Sequence, residues 1–368
     1  MQSEWCAALA VTEMSGTFGR GEIMRASIVL LVLLFGFSPP VIAGIEVMSE
    51  ELYSDTGTRW GFSASPDGSQ FTYVDRVMLR SRDVICQLYL VEAKTGSRRH
   101  VYSAWDIERF MWMGPDDFYF VVCDTADLVD RVKHYKASVV ATVVEGGQYS
   151  FSPDGKRIVY RAKYTYSEID PRIYVSRIDG SESRLFGRGH DPVWLKGDVI
   201  ALNVFDRDPG TGKLGGVIKL FDLGGKVLKV LGCGSVPQAS PNKRYLAFRS
   251  GRGDSIAPHL AVVDIEDSSL AVRVLVEARL SWYPVDFSWA PTSDALVFNA
   301  DSLLDVSEGE ESHVNLMVVD LEGNLVELTR GVRGVSDDAP VWTEGGILFR
   351  RGGGETPMRY VRLRVVTK

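Results

Sequence analysis

The chain has 368 residues, 45% apolar and 24% charged, with a formal net charge of −7 and a pI near 5.4. This is the composition of a globular protein and excludes a low-complexity or disordered chain. The acidic balance argues against nucleic acid as a partner, because phosphate binding needs a basic footprint.

Residues 1–23 carry Glu4, Glu13, Arg20 and Glu22 with little apolar periodicity. They read as disordered or untranslated, with the true start at Met24. From there the pattern is that of a signal peptide over 24–43. Met24-Arg25 is a short positive region, 27–37 is apolar, and Val41-Ile42-Ala43 places small residues before a cut between Ala43 and Gly44. An uncleaved leader acting as a membrane anchor is the alternative, but the apolar run is short against the ~20 residues that span a bilayer. The expected product is periplasmic or secreted, with one domain over 44–368. Cys86, Cys123 and Cys233 remain after the leader. A bridge between Cys86 and Cys123 is one reading, and three small buried apolar side chains is the other.

Beyond the leader the chain repeats itself. Phe62-Ser63-Ala64-Ser65-Pro66-Asp67-Gly68 precedes the apolar run 71–74, and Tyr149-Ser150-Phe151-Ser152-Pro153-Asp154-Gly155 precedes Ile158-Val159-Tyr160. Pro presets φ for a tight turn and Gly takes the positive φ that other residues avoid. Looser copies surround Pro115, Lys196, Pro241, Pro291 and Glu344. Each is followed by a second apolar strand, a polar turn and a more exposed strand, as in Leu316-Met317-Val318-Val319-Asp320 leading to Leu325-Val326-Glu327. Four short strands per period of roughly forty to fifty residues is the pattern of a β-propeller blade. Seven blades are expected, or six if the unit over 110–147 is an insertion. The last repeat offers three clear strands, so 44–60 is expected to supply its missing outer strand and close the ring.

The Ser-Pro-Asp-Gly turns, the aromatic before them and the run over 318–329 resemble the repeats of TolB-type propellers, distant relatives of the WD-type propellers. The resemblance covers about residues 60–368. It implies an all-β propeller and leaves function open, since such repeats occur in envelope adaptors, in gating domains of peptidases and in some lyases. Because the repeats begin almost directly after the leader, the chain is expected to lack the extra N-terminal α/β domain of TolB itself.

Candidate site residues follow from the blade entries. Aligning Trp194 with Trp289 places Asp191 opposite Asp286, with Asp338 one position away and His190 alongside. On innermost strands these acids would form an acidic channel mouth. With His190 they would hold a divalent cation through oxygen and imidazole ligands. The plainer reading has each Asp capping its own turn, with no cofactor. Trp282 and Tyr283 are expected partner contacts. Asp206-Arg207-Asp208-Pro209-Gly210-Thr211-Gly212-Lys213 fails as a phosphate loop because Leu214 stands where Ser or Thr is needed. No catalytic residue is assigned: none of the five histidines lies in a nucleophile elbow, and Gly-x-Ser-x-Gly is missing. The expected function is a monomeric, non-catalytic module that binds an envelope or secreted protein and meets the membrane only through that partner or an uncleaved leader. The alternative is a metal-assisted lyase or hydrolase acting on a polysaccharide in the channel.

Overall fold

The computed structural model describes residues 45–55, 59–78, 84–123, 129–162, 170–251, 259–277, 286–301, 314–329, 335–353 and 356–367. The expected leader over 24–43, the expected cut between Ala43 and Gly44, and the pair Trp282 and Tyr283 lie outside them. Among the described residues no helix is long and apolar enough to cross a membrane.

The building unit is an antiparallel meander. In the first, Arg59–Ala64, Gln70–Met78, Val84–Glu92 and Arg98–Ala104 pair in sequence order. Its second strand is buried without alternation at Phe71, Thr72, Tyr73 and Val74. A strand covered on both faces reads as a continuous apolar run, which is why the sequence shows no polar face there. The fourth strand starts exposed at Arg98, Arg99 and His100, as an outer edge should.

The unit recurs over Asp106–Gly114 to Val139–Glu145, so the residues weighed above as an insertion form a complete meander. It recurs again from Gly147–Phe151 to Arg184–Arg188. The next two meanders share one strand. Val227–Ala239 pairs through residues 227–233 with Leu214–Phe221 and through 234–239 with Tyr245–Ser250. The following unit runs from Phe287–Trp289 to Leu325–Glu327.

The last sheet orders Ser336–Thr343, Gly346–Gly353 and Thr356–Thr367, and then takes Ile45–Asp55 from the other end of the chain. The register runs antiparallel from Ile45 opposite Thr367 to Asp55 opposite Met358. The borrowed strand is shorter than the 44–60 expected. Arg59 and Trp60 already pair with Asp75 and Val74 as the innermost strand of the first meander.

The Ser-Pro-Asp-Gly turns owe their recurrence to a small hydrogen-bond knot. In Ser152-Pro153-Asp154-Gly155 the Ser152 hydroxyl donates to Asp154 Oδ1 at 2.6 Å and accepts the Arg157 amide at 2.9 Å. Asp154 Oδ1 also accepts the Lys156 amide. The Ser152 hydroxyl and that amide hold the Asp154 carboxyl below its usual range. Ser65 and Asp67 repeat the knot before Gly68, and Ser240 repeats it with Asn242 after Pro241. The turn at Pro291 keeps the backbone bonds, with Ala290 in the place of Ser.

Between consecutive meanders lie apolar clusters. Leu88 and Ile107 belong to one, Val132 and Ile158 to the next, and Ile173 and Trp194 to a third. Further along, Ile218 packs with Phe248, Leu260 with Phe298, and Leu316 with Phe349. One more cluster joins the two ends of the chain: Phe71 and Tyr73 of the first meander pack with Leu348 and Tyr360 of the last sheet. The rings of Phe71 and Tyr360 lie 5.2 Å apart. The three cysteines are free thiols. Cys86 donates to the Trp105 carbonyl at 3.0 Å, and burial pushes its thiol up.

Candidate functional site

The innermost strands converge on a channel of about 420 Å³, with Ser63, Phe110, Gln148, Asp191, Gln238 and Pro340 each supplied by a different strand. The backbone there has a feature that recurs from strand to strand. Each of these six strands carries an extra residue relative to its neighbour, and at each bulge one residue is left-handed. These residues are Gly61, Arg109, Gln148, Asp191, Val236 and Ala339, with φ between 46° and 64°. A bulge bends a strand and sharpens its twist, which a strand beside a narrow axis needs.

Only Gly61 suits that conformation freely, and a β-branched residue is strained in it. Val236, at φ 52° and 38% exposed, gains little burial in return. Val236→Gly is therefore expected to raise stability by about 0.5–1 kcal/mol, the relief of left-handed strain exceeding the added freedom of the unfolded chain. A denaturant melt checks this; an unchanged or lower midpoint would show that the bulge, not the side chain, sets the strain.

The sequence-derived candidates fall at two levels around the channel. Asp191 is the left-handed residue of its own bulge and lines the channel. Arg109, from the meander two before it, reaches Asp191 Oδ1 at 3.1 Å. The Asp191 amide donates to Gln148 Oε1 at 3.0 Å. His190 precedes it and pairs across the sheet with Asn203. Asp286 and Asp338 are brought near enough to repel each other but are not among the channel-lining residues. Burial, then the Asp338 charge, raises the Asp286 carboxyl above its usual range. Burial also raises Asp338, partly offset by Arg350, which grips both its oxygens at 2.7 and 3.0 Å. Among the described residues no group of three or more His, Cys, Asp or Glu side chains is placed to hold a metal ion.

Two channel residues escaped sequence reasoning. Arg109 gives no motif signal at all. Lys243 occupies the fourth position of the turn after Pro241, where Gly68 and Gly155 stand in the sister turns. It keeps the same left-handed backbone, with φ 61°. The bulges themselves left one trace. Asp191-Pro192, Val236-Pro237 and Ala339-Pro340 put a proline after the left-handed residue at the same place in three strands.

No family model matches the chain, and no curated protein matches it. Among solved structures, the β-propeller domain of the trilobed protease from Pyrococcus furiosus is similar with a TM-score of 0.60 at 12% identity, over 84% of this chain and 98% of that one. Oligogalacturonate lyase from Vibrio parahaemolyticus is similar with a TM-score of 0.57 at 13% identity, over 92% and 97%. The class of fold these likenesses define is the β-propeller. TolB from Acinetobacter baumannii stands among the structural neighbours, at 18% identity and a TM-score of 0.49, over 72% of this chain and 65% of that one. The chain thus spans just under two thirds of that TolB's length. At such identities the likeness concerns fold and carries no chemistry.

Proposed function

We propose that the chain is an exported, TolB-like propeller of seven four-stranded blades, closed by Ile45–Asp55 on the last blade. It acts as a monomeric, non-catalytic module that binds a protein of the cell envelope. Support for the blade count comes from the cyclic order of the apolar clusters, which returns from the last sheet to the first meander through Tyr360 and Phe71. Export rests on the leader over 24–43.

The observation that carries the binding role is a pair of exposed apolar side chains at the end of the first blade opposite its Ser-Pro-Asp-Gly turn. Met78 is 73% exposed and Trp105 is 47% exposed, and both belong to the end of the first blade that also carries the connection to the second. Loops and strand ends on a rigid scaffold are where partners engage, and aromatic anchors dominate such interfaces. The polysaccharide lyase or hydrolase reading would need His190, Asp191 and Asp286 to converge on a cation. Against it, Asp191 is engaged by Arg109.

The test is cross-linking and affinity purification of the tagged chain from Gly44 in its native envelope, beside a Met78→Ser, Trp105→Ser variant. The expected result is one reproducible protein, cross-linked through the end that carries Met78 and Trp105, whose recovery falls about tenfold in the variant, as loss of an anchor of ~1.4 kcal/mol or more would give. Equal recovery with both chains, or cross-links confined to the opposite end, would remove this reading.

A further inference from the structure

The channel is rich in hydrogen-bond donors and poor in acceptors. Gln148 Oε1 accepts the Asp191 amide, which fixes the orientation of the side-chain amide and leaves its NH₂ without a partner among the described residues. Ser150 Oγ accepts the Trp194 amide at 3.0 Å, and Ser288 Oγ accepts the Trp342 amide at 3.1 Å. Each hydroxyl therefore keeps its own proton to donate. Asp191 is the one carboxylate among the described residues lining the channel, and Arg109 engages it.

Lys243 completes the pattern. Lys243 is one of the residues lining the channel, and no ion-pair or hydrogen-bond partner for its ammonium is found among the described residues. Two carboxylates of a following strand and turn are already engaged: Asp264 by Arg244 at 2.6 Å, and Glu266 by Lys196 at 2.5 Å and Arg244 at 3.3 Å. The Asp of the sister turns, Asp67 or Asp154, is replaced here by neutral Asn242. The backbone of Lys243 is pinned, its amide donating to the Ser240 carbonyl at 2.8 Å and its carbonyl accepting the Lys196 amide at 2.8 Å. Burial alone lowers the ammonium's proton affinity. A partly buried cation lining the same channel as spare hydroxyl and amide donors is an arrangement complementary to an oxyanion.

We infer that the central channel binds one carboxylate-bearing ligand, with the Lys243 ammonium as its counter-ion and Ser150, Ser288 and the Gln148 amide as further donors. A channel of about 420 Å³ is large enough for a small organic acid or for one acidic side chain of a peptide. The inference goes beyond the partner-binding reading and does not depend on it: partner recovery is read at Trp105, ligand binding at Lys243.

The experiment is calorimetric titration of the chain from Gly44 with two probes, malonate and the peptide acetyl-Gly-Glu-Gly-amide. Saturable one-site binding of malonate assigns a free acid. Binding of the peptide alone assigns a carboxylate borne by a protein segment. In either case Lys243→Met should weaken binding about tenfold or more, and Lys243→Arg should recover most of it, because a charge-assisted bond is at stake. Lys196→Met, which removes a cation engaged by Glu266, should change nothing. Protection of the unaltered chain gives a second readout that needs no variant to fold. The bound probe should slow acetylation of Lys243 by an N-hydroxysuccinimide ester, read by mass spectrometry, and leave Lys196 unaffected. Binding of neither probe, binding indifferent to Lys243→Met, or equal acetylation with and without probe would overturn the inference.

Discussion

Deletion of residues 45–55 is expected to lower the melting temperature by roughly 7–15 °C and to make the chain self-associate. The deleted strand runs in register with Thr356–Thr367 from Ile45 opposite Thr367 to Asp55 opposite Met358. Each net hydrogen bond of such a ladder contributes roughly 0.5–1.5 kcal/mol, so the ladder as a whole is worth on the order of 5–10 kcal/mol. For a domain of this size that converts to a shift of roughly 7–15 °C. The deletion also bares the edge of Thr356–Thr367, a 12-residue strand, and long bare edges pair with other chains. A synthetic peptide of residues 45–55 added in excess should restore the melt and the monomer by re-adding the strand. The competing outcome is informative. A melt within a few degrees of the full chain would mean that the packing of Phe71 and Tyr73 against Leu348 and Tyr360 holds the ends together unaided, and the closure proposed for the ring would have to be given up.

Much of this architecture is legible in the sequence because its causes are local. The knot that joins Ser152, Asp154 and the Arg157 amide needs only residues within five positions, so Ser-Pro-Asp-Gly marks its turn wherever it stands. The central strands are also local signals, since Phe118 to Val122 or Leu246 to Phe248 are buried on both faces and read as apolar runs. What the sequence hides is whatever depends on which strands meet. Asp191 looks like a free acid at a blade entry, yet Arg109, from an element 82 positions earlier, engages it. Lys243 looks like an ordinary turn residue; only convergence of the inner strands makes it part of the channel lining. The bulges are hidden for a different reason. Five of the six left-handed residues are not glycine, so the usual cue for positive φ is missing at Arg109, Gln148, Asp191, Val236 and Ala339. Trp282 and Tyr283 stay as expectations, outside the described residues.

Arg351→Met is expected to cost about 3–5 kcal/mol, and more than Asp337→Asn at the other end of the same pair. The two residues face each other across neighbouring strands of the last sheet. Arg351 Nε and Nη2 each donate to an Asp337 oxygen at 2.6 Å. The pair is asymmetric in its access to water, with the Asp337 side chain 2% exposed and the Arg351 side chain 34% exposed. Removing the guanidinium strands a carboxylate that cannot reach solvent, and an unpaired buried charge is the expensive state. Removing the carboxylate leaves an arginine whose head can swing into water along its apolar stem, so Asp337→Asn should cost roughly 1–3 kcal/mol. Arg351 also lies 5.3 Å from the centre of the Phe349 ring, a contact that Asp337→Asn leaves in place. The double variant Asp337→Asn, Arg351→Met should recover much of the loss, because neither charge then remains. Guanidinium melts of the four chains measure the coupling directly. Equal costs for the two single variants would mean that water reaches Asp337 after all. Additive costs in the double variant would mean that the bidentate pair contributes nothing beyond the packing of its two side chains.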